Sequence, residues 1–225
     1  MSDKKVFVAS DEAKGKAKQF RLFAFLAWFI AIGGQIFAIL TLIKDDTLIW
    51  LIVAIVVILA LAVTGSWLWK KANRLDPASE KDKFRFFVQN QLGAIMGVLA
   101  FLPMVVFIFA NKNVDGKTKG IAGTVAVIAM LIAGISGVDF NPPSIEKYTE
   151  EINKQTQEVK RINYNKDDVY WTRAGNRYHI FKDCYHIEDR EKFNGTVKES
   201  WEQKGISELC KTCKKRAIKE NNVLE

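Results

Sequence analysis

"FAFLAWFIAIGGQIFAILTLI", Phe23–Ile43, contains no Asp, Glu, Lys, Arg or His. As a helix it is about long enough to cross the roughly 30 Å of hydrocarbon in a bilayer. One such run could be the buried helix of a water-soluble domain. Three more follow, at Leu48–Trp69, Leu92–Ala110 and Gly120–Val138, all equally free of charge. Four uncharged runs of this length in 225 residues predict an integral membrane protein with four spans. The first run does not read as a secretory signal peptide. It is long, lacks a small-residue cleavage site, and is followed after only Lys44–Thr47 by the second run. A connection that short makes the first two helices an antiparallel hairpin.

Basic residues close to the span ends predict the orientation. The N-terminal tail holds Lys4, Lys5, Lys14, Lys16, Lys18 and Arg21, and the second connection holds Lys70, Lys71, Arg74, Lys81, Lys83 and Arg85. The first connection has only Lys44, and the third has Lys112, Lys117 and Lys119. Tail and second connection are therefore expected in the cytoplasm, and four spans return the C-terminal region there too. This makes the chain a multi-pass protein of the cell membrane, such as a bacterial inner membrane, with both termini cytoplasmic. The formal charge of +8 fits the same picture: 16 basic and 9 acidic residues precede Asp139, against 17 and 16 after it. That excess favours anionic membrane lipid as a partner and is poor evidence for nucleic acid.

Composition divides the chain into a basic tail (1–22), a four-span membrane domain (23–138), a linker or stalk helix (139–164) and a small C-terminal domain (165–225). Within the tail, Lys14–Phe20 suits a short interfacial helix. Asp76-Pro77 suits a helix start, with Asp as cap and Pro in the first turn, running on into the third span. Phe84, Phe86 and Phe87 would then lie near the interface. Trp28, Trp50, Trp67 and Trp69 lie within the spans or at their ends, the last three as an aromatic belt would have them. Pro103 predicts a kink in the third span. Gln35, Thr64, Thr124 and Ser136 are the notable polar side chains within the runs. Without an ionisable group, the spans lack the residues that ion-coupled transporters and intramembrane enzymes place in the bilayer. Gly93-x-x-x-Gly97, with Ala129, Ala133 and Gly137, instead predicts close helix packing.

After Pro142-Pro143, Ser144 is a candidate cap for the helix "IEKYTEEINKQTQEVKRI". Ile145, Tyr148, Ile152, Gln155, Val159 and Ile162 form a heptad-like seam with one polar member. A coiled-coil stalk that makes a homo-oligomer and an amphipathic helix lying on its own domain both fit; under three heptads favours the second. Further on, "DDVYWTRAGNRYHIF" reads as a hairpin turning at Ala174-Gly175-Asn176. "TVKESWEQKGI" reads as a short helix ending at Gly205, and "CKKRAIKENN" as a terminal helix.

A domain of about 60 residues with few large aliphatic side chains needs a staple. Disulfides do not suit the expected cytosolic location, and three cysteines would leave one unpaired. Zinc fits better. Cys210-x-x-Cys213 at the start of a helix supplies two sulfurs, and His179 and Cys184 from the hairpin side complete a closed Cys₃His tetrahedron. Such a set carries net negative charge when metal-bound, which Lys211, Lys214, Lys215 and Arg216 could offset. With no open coordination position it would be structural, and no catalytic residue is assigned. Two other readings remain: a nucleophilic Cys184 activated by His179 or His186, which leaves Cys-x-x-Cys unused, and a redox Cys-x-x-Cys, which lacks a βαβ context.

The stretch "VYWTRAGNRYHIFKDCYHI…GTVKESWEQKGISELCKTC" resembles the small Ada-like metal-binding modules appended to bacterial nucleases and membrane proteins. Tyr178-His179, Cys184, Gly205, Cys210 and Cys213 carry the likeness over about 50 residues. Leu209 departs from it, where such modules carry Pro or a small residue. The resemblance implies structural Zn²⁺ and a compact fold, leaves His186 outside the metal shell, and implies no reaction.

The expected architecture is mainly α: a four-helix transmembrane bundle with a small cytosolic α+β zinc-binding domain. The expected function is non-enzymatic, with the zinc module displayed for binding a cytosolic protein partner or sensing a signal. The alternatives are a membrane effector, pore or transport component regulated by the module and, more weakly, nucleic-acid binding at the membrane through the basic "CKTCKKRAIKE" segment.

Overall fold

The computed structural model describes residues 6–220. Lys4 and Lys5 of the basic tail, and Asn221 and Asn222 of the terminal helix, lie outside the described residues. The fold is mainly helical and separates into two compact units, residues 16–74 with 81–142, and the described residues 6–15, 75–80 and 143–220.

The first unit is built from helices α1 (Asp11–Thr41, whose opening residues belong to the other unit), α2 (Leu48–Leu75), α3 (Lys83–Leu99), α4 (Leu102–Ala110) and α5 (Gly116–Gly137). They supply four segments long and apolar enough to cross a membrane, α3 and α4 together making one of them. The tail helix expected at Lys14–Phe20 is not separate; α1 runs unbroken from Asp11. The outer faces carry large apolar side chains, while α1 turns a stripe of alanines inward beside buried large residues such as Trp28, Leu51 and Phe101. Phe29, Leu40, Ile49, Trp50 and Ile135 are 62–78% exposed, whereas Ala17, Ala24, Ala31 and Ala38, seven apart on α1, are completely buried. That is the arrangement a lipid-facing bundle needs, because lipid rewards close backbone approach more than burial of large side chains.

The tightest approach joins α3 and α5. A Cβ on Gly137 would lie 2.3 Å from the backbone of Gly93 and Ala94, and one on Gly97 would lie 2.7 Å from the Ala133 carbonyl oxygen. The small-residue stripes of the two helices therefore meet face to face. Several polar side chains in the bundle bond to backbone, although Gln35 Nε2 is buried without a partner among the described residues. Ser66 Oγ donates to the Ala62 or Gly93 carbonyl (3.0 and 3.2 Å), and Trp69 Nε1 and Asn73 Nδ2 donate to the Gln89 carbonyl (2.6 and 2.7 Å). Pro103 interrupts the third span as expected. Having no N–H, it cannot bond the Leu99 carbonyl, so α3 ends at Leu99 and α4 restarts with proline in its first turn. Arg74 grips the buried Asp139 through two bonds of 2.7 and 3.2 Å, an ion pair the sequence reading did not anticipate.

Asp76-Pro77 does not begin a helix. Helix α3 starts six residues later, with Asp82 as cap accepting from the Arg85 N–H at 3.1 Å. Residues 75–80 belong instead to the second unit. There the Ala78 carbonyl accepts from the Ile145 N–H (3.2 Å), and Glu80 bonds Ser144 and Glu146. These contacts tie up the backbone that a helix from Asp76 would have needed.

The second unit contains α6 (Ile145–Ile162), β1 (Val169–Thr172), β2 (Lys192–Gly195), α7 (Val197–Lys204) and α8 (Lys211–Glu220). Ser144 caps α6 as expected, accepting from the Lys147 N–H at 3.0 Å. Ile152, Val159 and Ile162 of the heptad-like seam are completely buried against Val169, Trp171, Tyr178, Val197 and Ile206. Its polar member is also engaged. Gln155 Oε1 accepts from Tyr178 Oη (2.9 Å) and Trp201 Nε1 (3.1 Å), while Nε2 donates to the Ser207 carbonyl (2.7 Å). The seam is thus occupied by its own domain, as the amphipathic-helix reading has it and the coiled-coil reading does not. Residues 139–164, read from sequence as a separate linker, contribute α6 to this core.

The expected hairpin around Ala174-Gly175-Asn176 is only partly a hairpin. β1 pairs antiparallel with β2, Val169 opposite Gly195 and Thr172 opposite Lys192, and meets its near neighbour only through a single bridge, Tyr170 to His179. Helix α7 is closed at both ends, by a Thr196/Glu199 capping box and by Gly205 at φ 64°, a left-handed position that suits glycine.

Candidate metal centre

The backbone around Tyr178 assembles the centre. His179 and Tyr170 exchange two hydrogen bonds of 2.7 Å, which fixes the histidine beside β1. On the other side, the Tyr178 N–H donates to the Glu208 carbonyl (3.0 Å) and the Tyr178 carbonyl accepts from the Cys210 N–H (2.9 Å). One short extended segment therefore sets His179 next to Cys210. Helix α8 begins just after Cys210, and its first turn brings Cys213 to the same place. Cys184 arrives on a chain of tight turns, its N–H donating to the Phe181 carbonyl (3.3 Å) and its carbonyl accepting from the Ile187 N–H (2.8 Å).

The result is a buried cluster of His179, Cys184, Cys210 and Cys213 whose potential ligand atoms all lie within 4.8 Å of one another. All four residues are at most 5% exposed, and the cysteines are not joined as disulfides. Bond lengths of about 2.3 Å to sulfur and 2.0 Å to nitrogen put neighbouring ligands of tetrahedral zinc roughly 3.5–3.8 Å apart. His179 Nδ1 lies 3.7 Å from Cys213 Sγ, a spacing that suits the edge of such a tetrahedron. The donor set fits a metal ion such as zinc.

Burial also sets the protonation of the cluster. Burial pushes the Cys213 thiol up to about 12, with Cys210 nearby adding to the rise. Burial, helped by His186 and Arg177, lowers His179 to about 4. Buried thiolates need a cation to compensate them, and a neutral imidazole is the form that ligates metal.

The surroundings were less legible in the sequence. Arg216 was read as one of four basic residues offsetting charge, but its guanidinium is committed. It donates to Asp183 (2.9 Å) and Glu220 (2.8 Å) and stacks over Phe181 at 4.2 Å. It thereby ties the loop next to Cys184 to the helix bearing Cys213. Lys214 is also paired, with Glu158. The spacing of these residues in sequence gives no signal for such a clamp. His186 is not part of the four-residue cluster. Its ring lies 6.3 Å from that of His179, packs against Tyr185 at 3.9 Å, and places Nε2 3.4 Å from Thr212 Oγ1.

No protein-family model, no curated protein and no solved structure matches this chain.

Proposed function

We propose that this chain is a non-enzymatic integral membrane protein that displays a structural zinc module on the cytoplasmic side, where the module recognises a partner or a signal. The observation that carries this reading is the buried convergence of His179, Cys184, Cys210 and Cys213. Bound zinc would supply cross-linking of the loop before β2 to α8 and to the segment beside β1. A four-ligand shell leaves no position for an activated water, which supports a structural role over hydrolysis. A nucleophilic cysteine needs a thiolate with access to substrate. Burial of Cys184 and its convergence with three other donor side chains favour ligation instead.

Four long apolar helices support the membrane assignment, and the Lys and Arg excess in the tail and second connection supports cytoplasmic termini. The absence of ionisable residues from the four apolar runs favours a packed scaffold over an ion pathway. The spacing of Tyr178-His179, Cys184, Gly205 and Cys210-x-x-Cys213 resembles that of the Ada-like modules, apart from Leu209, which supports zinc as the metal.

Elemental analysis of the purified full chain tests this. About one zinc per chain is expected, lost in Cys210→Ser. Well-folded protein without metal would overturn the reading.

A further inference from the structure

Beside the metal centre lies a cavity of about 240 Å³ whose wall includes Thr172, Asn176, Arg177, His186, Arg190 and Cys210. It is a different kind of space from the grooves on the helical unit, which are lined almost wholly by apolar side chains such as Leu22, Phe25, Ile36 and Leu40. Three of its polar groups are uncommitted. The Thr172 hydroxyl is buried, the residue 3% exposed, and has no hydrogen-bond partner. The Asn176 amide and the Arg190 guanidinium, on exposed residues at the cavity's mouth, have no side-chain hydrogen bond or ion pair among the described residues and are free to turn to a ligand. A fourth group, Arg177, is paired with Glu208 at 3.2 Å, but both partners are substantially exposed, and such a pair exchanges readily.

We propose that this cavity binds a phosphate group, with Arg190, Arg177, the Asn176 amide and the Thr172 hydroxyl as its donors. A buried polar group left unpaired is costly, and a ligand rich in acceptors would recover that cost. Arginine's planar fork matches phosphate oxygens, and amide and hydroxyl donors complete the oxyanion's acceptor shell. A cationic ligand is disfavoured by two guanidinium groups on the wall. Metal-bound cysteine would add negative charge where Cys210 lines the wall, so the phosphate is held by the arginines and not by the metal-ligand side. The inference deepens the function proposed above, since it names the chemistry the module would recognise, and it rests on that module being the part of the chain that recognises a ligand.

The same group could come from a soluble phosphate compound or a lipid headgroup, and two arms separate them. Metal-loaded full chain in uncharged detergent is titrated calorimetrically with inorganic phosphate. The same protein is then assayed for binding to vesicles of phosphatidylcholine with and without phosphatidic acid. Saturable binding in the first arm supports the proposal with a soluble source, and phosphatidic-acid dependence in the second supports it with a headgroup source. In either arm, Arg190→Ala and Thr172→Val should each weaken binding roughly tenfold or more, as loss of a buried or charge-assisted bond would, while zinc content stays constant. Binding in neither arm, or binding unchanged in both variants, would overturn the proposal. Wild-type protein that binds phosphate but carries no zinc would sink the metal reading and leave the phosphate site standing.

Discussion

Arg216 shows how much a single side chain can hold at this centre. Its bonds to Asp183 and Glu220 and its stacking on Phe181 fasten the Cys184 loop to the helix that carries Cys213. Residues that orient metal ligands from outside the shell typically change affinity by about 10–100-fold. Arg216→Ala should therefore weaken zinc retention by roughly tenfold or more in competition with a chromophoric chelator. Arg216→Lys should recover little of the loss, because an ammonium cannot bridge two carboxylates and stack on the ring at once. Retention equal to wild type in both variants would show that the loop holds itself. The four clustered residues were legible in sequence because cysteine and histidine are rare here and their spacing is distinctive. The clamp was not, because a charged residue in a basic segment looks the same whether it is solvated or bridging.

At the scale of elements, uncharged runs located the four spans and periodicity located α6, while tertiary pairing decided what neither could. The partner of β1 is 20 residues away in β2, beyond the reach of turn chemistry at Ala174-Gly175-Asn176. Asp76-Pro77 carries a strong local helix-start signal, yet its neighbours Ala78 and Glu80 are taken by Ser144, Ile145 and Glu146. Gln155 looked like the flaw in a coiled-coil seam and is instead the acceptor shared by Tyr178 and Trp201. The glycine pattern was more direct. Gly137 faces the backbone of Gly93 and Ala94 with no space for a Cβ, whereas Gly33 has nothing within 4 Å. Gly137→Ala should destabilise the helical unit by about 1–3 kcal/mol, the usual cost of overpacking, and lower its melting temperature in detergent. Gly33→Ala should leave the stability unchanged or raise it by up to about 1 kcal/mol, with a melting temperature at or above that of wild type. Equal effects at the two positions would contradict the α3–α5 packing.

For the molecule as a whole, the proposed orientation follows from charge. A cysteine introduced at Asp46, in the first connection, should react with a membrane-impermeant maleimide on intact cells. One introduced at Lys81, in the second, should react only after the cells are opened. The reverse pattern would place the zinc module on the outer side, where the redox argument for zinc over disulfides no longer holds. The spans themselves were plain in sequence, since a run without charge is visible at any scale of reading. The alanine stripe at Ala17, Ala24, Ala31 and Ala38 was present too, but small residues inside an apolar run stand out only once the structure shows which face is covered.

The central claim is a closed zinc shell made of three sulfurs and one nitrogen. X-ray absorption at the zinc edge of the purified full chain tests it most directly. The account predicts three sulfur neighbours at about 2.3 Å and one imidazole nitrogen at about 2.0 Å, with no oxygen. A shell with a water or carboxylate oxygen, or with two sulfurs only, would contradict it.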